Sequence, residues 1–500
     1  MSDTSDIGKL AKKSVQEYID ELPKWMDGTQ VAGAPLTGMQ WRIWILATAG
    51  KFFEGLVVFM TGVALPLIVL EFTLNAAEKG MVGAASLFGI LVGATALGGL
   101  SDHFGRKLMF ILEMVLFTVF LIATTFSASF PLLLFCLFGM GLALGCDYPT
   151  AHLVISESIP SAVRGRLVLS AFGFQAVGAL SGTIVGFLIL HACNEIWDWR
   201  LMYAIAIVPA ILVTIGRLFV TQSPHWLMSE GRIREAEIAL QRLLRRNPQY
   251  PKTVRLAEPD SSPDAPLPNP SKWGHFSKLF TKKKRRRATI LASVPWFLQD
   301  LGTYGIGIFT PIILAATLGS GHENPRSLSE VILNDMHAAK GAALVDILLI
   351  VGIVAAVMFA DRVGRIRLQI LGFIGCAGGL FLAALSQQFS GTAQLLLIFA
   401  GFMIFNFMTN MGPNAMTYLL AGEVFPTKVR GMGAGFAASF AKIGAVLTAF
   451  LFPVLLHAIG TATLLYILVG TSLLGAWVTW RFGIETSGMN LERIGEEEVL

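Results

Sequence analysis

Long apolar runs separated by short polar segments fill most of the chain after residue 43. A helix that crosses a membrane needs about 20 mainly apolar residues, and each run is near or above that length. The runs lie at 44–70, 80–100, 108–128, 131–156, 166–192, 199–220, 289–315, 341–360, 368–386, 393–419, 431–457 and 460–482. They lack the alternation of membrane β-strands and are too long for them. The pattern predicts an all-α membrane protein with twelve transmembrane helices.

The polar segments divide the chain into five parts. They are a tail at 1–43, a six-helix half at 44–220, a central loop at 221–288, a second six-helix half at 289–482 and a tail at 483–500. The first tail lacks a signal-peptide pattern, and we expect a short surface helix near Ile7–Leu22. The central loop begins with a helix-forming stretch, continues through a proline-rich segment and ends in six basic residues, Lys282 to Arg287.

Lysine and arginine are concentrated in alternate connecting loops. These residues are Arg106, Lys107, Arg164, Arg166, Arg362, Arg365, Arg367, Lys428 and Arg430. Loops rich in lysine and arginine face the cytoplasm. We therefore expect an integral protein of the plasma (bacterial inner) membrane with both termini in the cytoplasm.

The composition excludes most other classes of protein. Hydrophobic residues make up 54% of the chain and charged residues 14%, against about 45–50% and about 25% in soluble proteins. The six-residue basic run precedes a predicted span, so we interpret it as an anchor to anionic lipids and not as a nucleic-acid site. The four cysteines have neither metal-ligand nor disulfide spacing. Neither a Walker-type loop nor a H-E-x-x-H motif is present, so we expect no enzyme activity, metal or cofactor.

Two loop motifs occur once in each half. Gly98-x-x-x-Asp102-x-x-Gly105-Arg106-Lys107 follows the second span, and Asp361-x-x-Gly364-Arg365 follows the eighth. Glu157-x-x-Pro160-x-x-x-Arg164 follows the fourth span, and Glu423-x-x-Pro426-x-x-x-Arg430 follows the tenth. Because each copy joins spans of the same direction, the halves are parallel repeats, which place a substrate site between them near the middle of the bilayer.

This organisation resembles the major facilitator superfamily of secondary transporters over nearly the whole chain past residue 40. The first loop motif matches the family pattern, whereas Val357 replaces the first glycine in the second copy. The resemblance implies a cytoplasmic gating set made of Asp102, Arg106, Lys107, Glu157, Arg164, Asp361, Arg365, Glu423 and Arg430. Charges that only fix topology are the alternative, but they would not explain Asp102 and Glu157.

Ionisable residues inside membrane spans are costly and mark candidate functional sites. The set is Glu54, Asp147, Asp300 and Lys442. Their surroundings resemble phosphate:proton symporters of the superfamily: Gly145-Cys-Asp147-Tyr148-Pro149 in span 4, Trp296-x-x-x-Asp300-x-x-x-Tyr304-Gly305 in span 7, Gly412-Pro413-Asn414 in span 10 and Lys442-x-Gly444 in span 11. The resemblance implies a substrate site of Tyr148, Gln175, Trp296, Asp300, Tyr304, Asn414 and Lys442.

The residue chemistry fits an anion. Lys442 supplies positive charge, while tyrosine, glutamine, asparagine and tryptophan donate hydrogen bonds. We expect proton coupling through Asp300, Asp147 and Glu54, because an ionised Asp300 would repel an anion and a protonated one would admit it. The family has a pair of acids in span 1, whereas this chain has Glu54 and then Val57. Pairing with a neighbouring helix is the alternative for Asp147, and packing is the alternative for the aromatic residues.

The sequence thus favours a monomeric proton-coupled symporter that imports phosphate or a related small anion, with protons and the lipid bilayer as its other partners and no nucleic acid. A symporter of an organic acid, an aromatic compound or a sugar is the second hypothesis, since such transporters also carry a G-x-D-Y-P span 4. A membrane sensor that binds a ligand without transporting it is the third. An intact gating loop argues against the sensor.

Overall fold

The computed structural model describes residues 13–21, 36–97, 100–193, 195–245, 254–257, 279–280, 282–318, 328–425 and 430–487. Within these ranges, the side chains of residues 102, 148, 316–318 and 430–431 lie outside the description. Three predicted site side chains, those of Asp102, Tyr148 and Arg430, therefore lie outside the described part of the molecule.

The described chain is a series of α-helices. They are α1 (Val15–Asp20), α2 (Gly38–Phe72), α3 (Ala76–Val92), α4 (Leu100–Phe104), α5 (Arg106–Thr125), α6 (Phe130–Ser158), α7 (Ser161–Ala192), α8 (Asp198–Leu218), α9 (Pro224–Ser229), α10 (Ile233–Leu243), α11 (Lys283–Leu318), α12 (Leu328–Val363), α13 (Arg365–Leu385), α14 (Gly391–Met411), α15 (Pro413–Glu423) and α16 (Arg430–Phe482). A π-helical turn, Gly93–Leu97, extends α3.

Twelve membrane crossings account for these helices. Eleven helical segments of the described chain are long and apolar enough to cross a membrane, the last being Met432–Phe482. That segment has 51 residues, and a straight helix of this length would measure roughly 77 Å, more than twice the ~30 Å hydrocarbon core. Gly460 interrupts it with a φ of 77°, so α16 comprises two crossings. This architecture confirms the predicted all-α membrane fold with two six-helix halves.

Two glycines in the left-handed region form the tight turns of the repeated loop motif. Gly105 precedes α5 with a φ of 88°, and Gly364 precedes α13 with a φ of 94°. Side chains other than glycine rarely adopt such angles, because the Cβ atom clashes with the backbone. The two copies of the motif therefore make the same turn, each leading directly into an arginine that begins a helix.

Close backbone packing holds the helices of the first half together. Across the α2–α7 contact, a Cβ atom at Gly55 would lie 2.0 Å from the Gln175 carbonyl oxygen. A Cβ atom at Gly178 would lie 1.9 Å from the Phe52 carbonyl oxygen. A Cβ atom at Gly141 would lie 1.9 Å from the Ser86 carbonyl oxygen between α3 and α6. Small residues permit this approach where lipid supplies no hydrophobic driving force between helices.

The two halves meet along α2–α11, α3–α16 and α7–α12. Successive crossings run in opposite directions, so α2, α7 and α11 begin on one side of the molecule. We call this the proximal side and the opposite one the distal side. On the distal side, a Cβ atom at Gly62 would lie 2.2 Å from the Ile308 carbonyl oxygen of the other half. The halves are therefore in direct backbone contact there.

Several helices extend beyond the predicted apolar runs. The eighth crossing, α12, begins at Leu328 instead of 341, because the polar stretch before it buries Ile332, Asp335 and Ala338 on one face. The basic run forms the first turns of α11. Helix α10, expected in the central loop, packs with α1 and the proximal end of α2, and the Thr37 hydroxyl donates to the Leu243 carbonyl (2.7 Å).

Candidate functional site

Glu54 lies at the centre of a buried polar cluster between the two halves. Its carboxylate accepts hydrogen bonds from Lys51 (2.5 Å) and Tyr304 (2.7 Å) and contacts Lys442 at 3.1 Å. Gln175 donates to the Tyr304 hydroxyl (3.0 Å) and approaches the Glu54 carboxylate at 3.5 Å. One acidic side chain of α2 thus connects α7, α11 and α16, that is, both halves of the protein.

Asp300 is the second carboxylate of this cluster. Its Oδ2 atom lies 3.7 Å from the Lys442 ammonium but accepts no hydrogen bond in the described part of the chain. Only 2% of Asp300 is exposed. A buried carboxylate normally has several hydrogen-bond partners, so Asp300 is the cluster member whose bonding is incomplete.

A cavity lies beside these two carboxylates. Six of the seven side chains expected at the substrate site line it, namely Gln175, Trp296, Asp300, Tyr304, Asn414 and Lys442, together with Lys51, Ile90, Ala94, Phe172 and Ala438. They come from α2, α3, α7, α11, α15 and α16 and from the π-helical turn. The folded chain therefore brings these six expected side chains together between the halves.

Aromatic side chains close the proximal side of this cavity. The Tyr418 ring of α15 stacks on Phe172 of α7 at 4.5 Å and meets Trp296 edge-on at 6.3 Å. Its hydroxyl is 2.9 Å from Nδ1 of His152 in α6. Cross-half contacts thus lie on both sides of the cluster, at Tyr418 on the proximal side and at Gly62 on the distal side.

Asp147 belongs to a separate buried group. It forms an ion pair with Arg217 of α8, and Arg217, which is 0% exposed, also donates to the Phe110 carbonyl (2.6 Å) and lies over the Phe110 ring at 3.6 Å. Glu113 of α5 lies in the same group and accepts from the Thr150 hydroxyl (2.8 Å). Asp147 therefore has a full counter-charge within its own half.

Six of the nine predicted gating residues form two latches, one at the proximal end of each half. In the first latch, Arg106 contacts the Glu157 carboxylate at 3.2 Å, and this carboxylate also accepts a hydrogen bond from the Ser223 hydroxyl. The Gln222 side chain accepts a hydrogen bond from the backbone amide of Lys107 (2.9 Å). Burial lowers the pKa of the neighbouring His225 imidazole, so that residue is neutral at pH 7.

The second latch repeats the first with different residues. Arg365 contacts Glu423 at 3.3 Å and Asp361 at 2.8 Å. Glu423 accepts from the Thr486 hydroxyl, and Glu485 accepts from the Arg365 amide (2.9 Å). In each half, the segment after the sixth crossing thus ties the motif arginine and glutamate together. Arg164 instead donates to the Ile159 carbonyl (3.3 Å).

Sequence reasoning missed several of these residues. Glu113, Arg217 and Asp346 are ionisable residues in or near predicted spans, so the rule that selected Asp300 could have selected them. The correspondence of Gln222-Ser223 with Glu485-Thr486 was readable as an echo after the sixth and twelfth spans. Lys51, which was not among the predicted site residues, contacts Glu54 directly.

Relatives of the chain are transport proteins. The chain matches the family model "Sugar (and other) transporter" over residues 43–497. A candidate inorganic phosphate transporter of Schizosaccharomyces pombe is 28% identical over 93% of this chain and 89% of its own length. The niacin transporter NiaP of Acinetobacter baylyi is 26% identical over 91% of this chain and 95% of its own length.

Solved structures share the fold. The xylose transporter XylE of Escherichia coli, in a partially occluded inward-open conformation, superposes with a TM-score of 0.72, covering 91% of this chain and 100% of that one at 19% identity. A further XylE structure, described as a proton:xylose symporter of the major facilitator superfamily, has a TM-score of 0.70 at 20% identity. The chain therefore belongs to the sugar (and other) transporter family of the major facilitator superfamily, whose members are transporters and not enzymes.

Proposed function

We propose that this chain is a proton-coupled symporter that takes up phosphate or a related small anion by alternating access. The observation that carries the proposal is the charge balance around the central cavity. Lys51 and Lys442 both contact the Glu54 carboxylate, while Oδ2 of Asp300 accepts no hydrogen bond from the described residues. With Asp300 ionised the four charges cancel, and with Asp300 protonated the cluster has one net positive charge.

This balance links proton binding to anion binding. A net positive charge in a buried cavity attracts an anion strongly, because the low dielectric screens the interaction weakly. Lys442, Tyr304, Gln175, Trp296 and Asn414 then supply the donors that an oxyanion requires. Loss of the proton from Asp300 restores a carboxylate 3.7 Å from Lys442, and this carboxylate repels the anion. Proton release towards the cytoplasm thus promotes release of the substrate.

Glu54 has a different part in this proposal. Its two lysine contacts and the Tyr304 hydrogen bond stabilise its ionised form in the structure. It therefore positions Lys442, and it accepts a proton only when rocking of the halves separates these groups. Asp147, paired with Arg217, likewise stays a predicted proton carrier that would have to leave its partner. Tyr148 completes the proposed substrate set.

The proposed orientation places the proximal side, both termini and both latches in the cytoplasm. The lysine and arginine bias of the loops supports it. We place the protein in a bacterial inner or other plasma membrane as a monomer, because the proposed site is complete within one chain.

An aromatic or other organic carboxylate is the second candidate substrate. Phe172 and Trp296 line the cavity beside Lys442, and such walls suit a planar ring with a carboxylate. A relative of similar identity is a niacin transporter. A sugar has less support, because a neutral molecule does not need the charge balance described above.

Uptake into proteoliposomes tests the proposal and separates the candidates. Labelled phosphate should enter under an inward proton gradient, and unlabelled phosphate should compete better than nicotinate or xylose. Preferential competition by nicotinate would favour the organic carboxylate. Competition by xylose alone would contradict an anion site, and binding without uptake would indicate a sensor.

The variant Lys442→Met should weaken phosphate binding by about 10–150-fold, since a hydrogen bond to a charged group contributes about 1.5–3 kcal/mol. Tyr304→Phe, the comparison variant, removes one proposed donor and no charge, so it should weaken phosphate binding less than Lys442→Met does. The affinity for phosphate can be measured from the competition of unlabelled with labelled phosphate during exchange. Equal affinity of the wild type and Lys442→Met would mean that the lysine does not bind the substrate.

A further inference from the structure

A third buried carboxylate, Asp346, lies outside the central cluster at a contact between the halves. It is 3% exposed and belongs to α12 of the second half. Its Oδ2 atom is 2.8 Å from the Thr183 hydroxyl of α7, which belongs to the first half. Its Oδ1 atom accepts from the Asn406 amide of α14 (3.2 Å). Asp346 thus connects the two halves on the distal side of the cavity.

Charged partners are absent from the described surroundings of Asp346. Helix α12 packs against α2, α7, α11, α13, α14 and α15. Arg365 and Arg367 lie at the proximal start of α13, and Glu423, at the proximal end of α15, contacts Arg365. Lys340 of α12 itself is exposed. Lys51 and Glu54 of α2 contact each other, and Asp300 of α11 lies beside Lys442. The ionisable residues of α7 lie near its ends, at Arg164, Arg166 and His191, and α14 contains none. A buried carboxylate without a counter-charge is strongly disfavoured.

The hydrogen-bond geometry fits a protonated acid. The Thr183 hydroxyl lies within bonding distance of two oxygens, Oδ2 of Asp346 at 2.8 Å and the Ala179 carbonyl at 3.0 Å. It has one hydrogen, and the carbonyl can only accept. If Oδ2 holds a proton, it donates to the hydroxyl, and the hydroxyl donates to Ala179. Every donor and acceptor in the row of hydrogen bonds from Asp346 through Thr183 to Ala179 then has a partner.

Hydrogen bonds within the second half connect Asp346 to the cavity. Asn406 and Asn410 lie one turn apart on α14 and donate to the Val345 and Leu349 carbonyls of α12 (3.2 and 2.8 Å). The next residue of this row, Asn414, donates to the Asn410 side chain (2.6 Å) and lines the cavity. A row of hydrogen-bonded asparagines therefore runs from the cavity wall to Asp346.

We propose that Asp346 is a second proton-binding site of the transport cycle, whose proton joins the halves through Thr183 and leaves when they separate. Separation admits water, the Oδ2–H bond breaks, the proton passes to water and the carboxylate remains. Closure requires the carboxylate to take a proton from water again. The proposal rests on the proposed proton coupling for its place in the cycle, but protonation of Asp346 does not depend on which substrate is carried.

Infrared spectroscopy of the full chain in liposomes tests the protonation without any substrate. The spectrum of the wild type minus that of Asp346→Asn should contain the C=O stretch of a protonated carboxyl group at about pH 7. Asn406→Leu keeps the acid and removes the donor to its carbonyl oxygen, so this band should move to higher frequency. Absence of the band from the difference spectrum, or a band unchanged in Asn406→Leu, would overturn the proposal.

Transport tests the place of Asp346 in the cycle. The proton leaves and returns on the same side, so it alters the rate of opening and not the number of protons carried. Asp346→Asn, which cannot release a proton, should slow phosphate exchange by about tenfold, within the usual range of coupling energies, and keep the final accumulation ratio within about twofold of the wild type. A wild-type exchange rate in this variant would overturn the role in the cycle even if the infrared band is present. If the wild type itself carries no phosphate, the proposed function fails, and the infrared result still decides whether Asp346 holds a proton.

Discussion

At the scale of single residues, carboxylates within the membrane fall into two groups. Glu54 and Asp147 each contact a cation closely. Oδ2 of Asp300 accepts no hydrogen bond from the described residues and lies 3.7 Å from Lys442, and Asp346 has neutral hydrogen-bond partners. In our proposals, the cost of burying a carboxylate is met by charge in the first group and by a proton in the second. This distinction assigns different tasks to chemically similar residues.

The Asp147–Arg217 pair gives a prediction at this scale. Arg217→Met should destabilise the protein by about 3–5 kcal/mol, because removing one partner leaves a buried charge uncompensated. The measurement is the thermal unfolding midpoint in detergent. The double variant Arg217→Met with Asp147→Asn should recover most of that loss. If both variants are equally unstable, the pair is not what stabilises this region.

The sequence predicted the residue types of the central cavity better than their partners. Trp296, Asp300 and Tyr304 are four residues apart, so their common face on a helix followed from helical geometry. Contacts such as Glu54 with Lys442 join residues 388 positions apart, and spacing along the chain contains no information about them. Arg217 was overlooked because an arginine near the end of a span is usually a topology signal.

At the scale of helices, glycine positions determine which helices approach each other closely. Helices α2 and α7 pack through Gly55, Gly178 and Gly182, each facing backbone atoms of the other helix. This contact brings Gln175 to Glu54. The choice of partner helix required the structure.

Gly178→Ala tests this packing. The new Cβ atom would lie 1.9 Å from the Phe52 carbonyl oxygen, so the helices must separate, and such overpacking costs about 1–3 kcal/mol or more. We expect a lower unfolding midpoint in detergent. The matched control is Gly378→Ala in α13, where a Cβ atom meets nothing within 4 Å. Equal midpoints for the two variants would show that the α2–α7 contact tolerates a wider spacing.

Helix bounds were predicted well where apolar runs were continuous and less well where polar residues continued a helix. The start of α12 shows why: its first residues are polar, yet one face is buried. The long α16 has the opposite property, since two predicted runs form one helical stretch that is interrupted only at Gly460. Hydropathy measures which residues suit lipid, not which residues are helical.

At the scale of the whole molecule, the two proximal latches have the same construction. Each joins a motif arginine, a motif glutamate and the segment after the sixth crossing of its half. The arginine–glutamate pairs lie within a half and not across the two halves. We infer that they stabilise the proximal end of each half as a rigid body, so that rocking occurs between the halves.

Glu157→Gln and Glu423→Gln test the latches. Each variant removes the carboxylate that contacts an arginine. We expect the uptake rate to fall by about tenfold, within the usual range of coupling energies, and the substrate affinity to stay nearly unchanged. Initial rates at several phosphate concentrations separate rate from affinity. Glu235→Gln, which alters an exposed ion pair on α10, is the control. Wild-type uptake rates in both latch variants would indicate that these charges only fix the orientation of the protein in the membrane.

The central claim is that the proton on Asp300 drives accumulation of the anion. The most direct test compares phosphate accumulation in proteoliposomes by the wild type and Asp300→Asn under an inward proton gradient, with the membrane potential clamped at zero. Exchange of labelled for unlabelled phosphate without a gradient is measured in parallel. We predict that Asp300→Asn retains exchange and accumulates much less phosphate than the wild type. Equal accumulation by the two proteins would contradict the account.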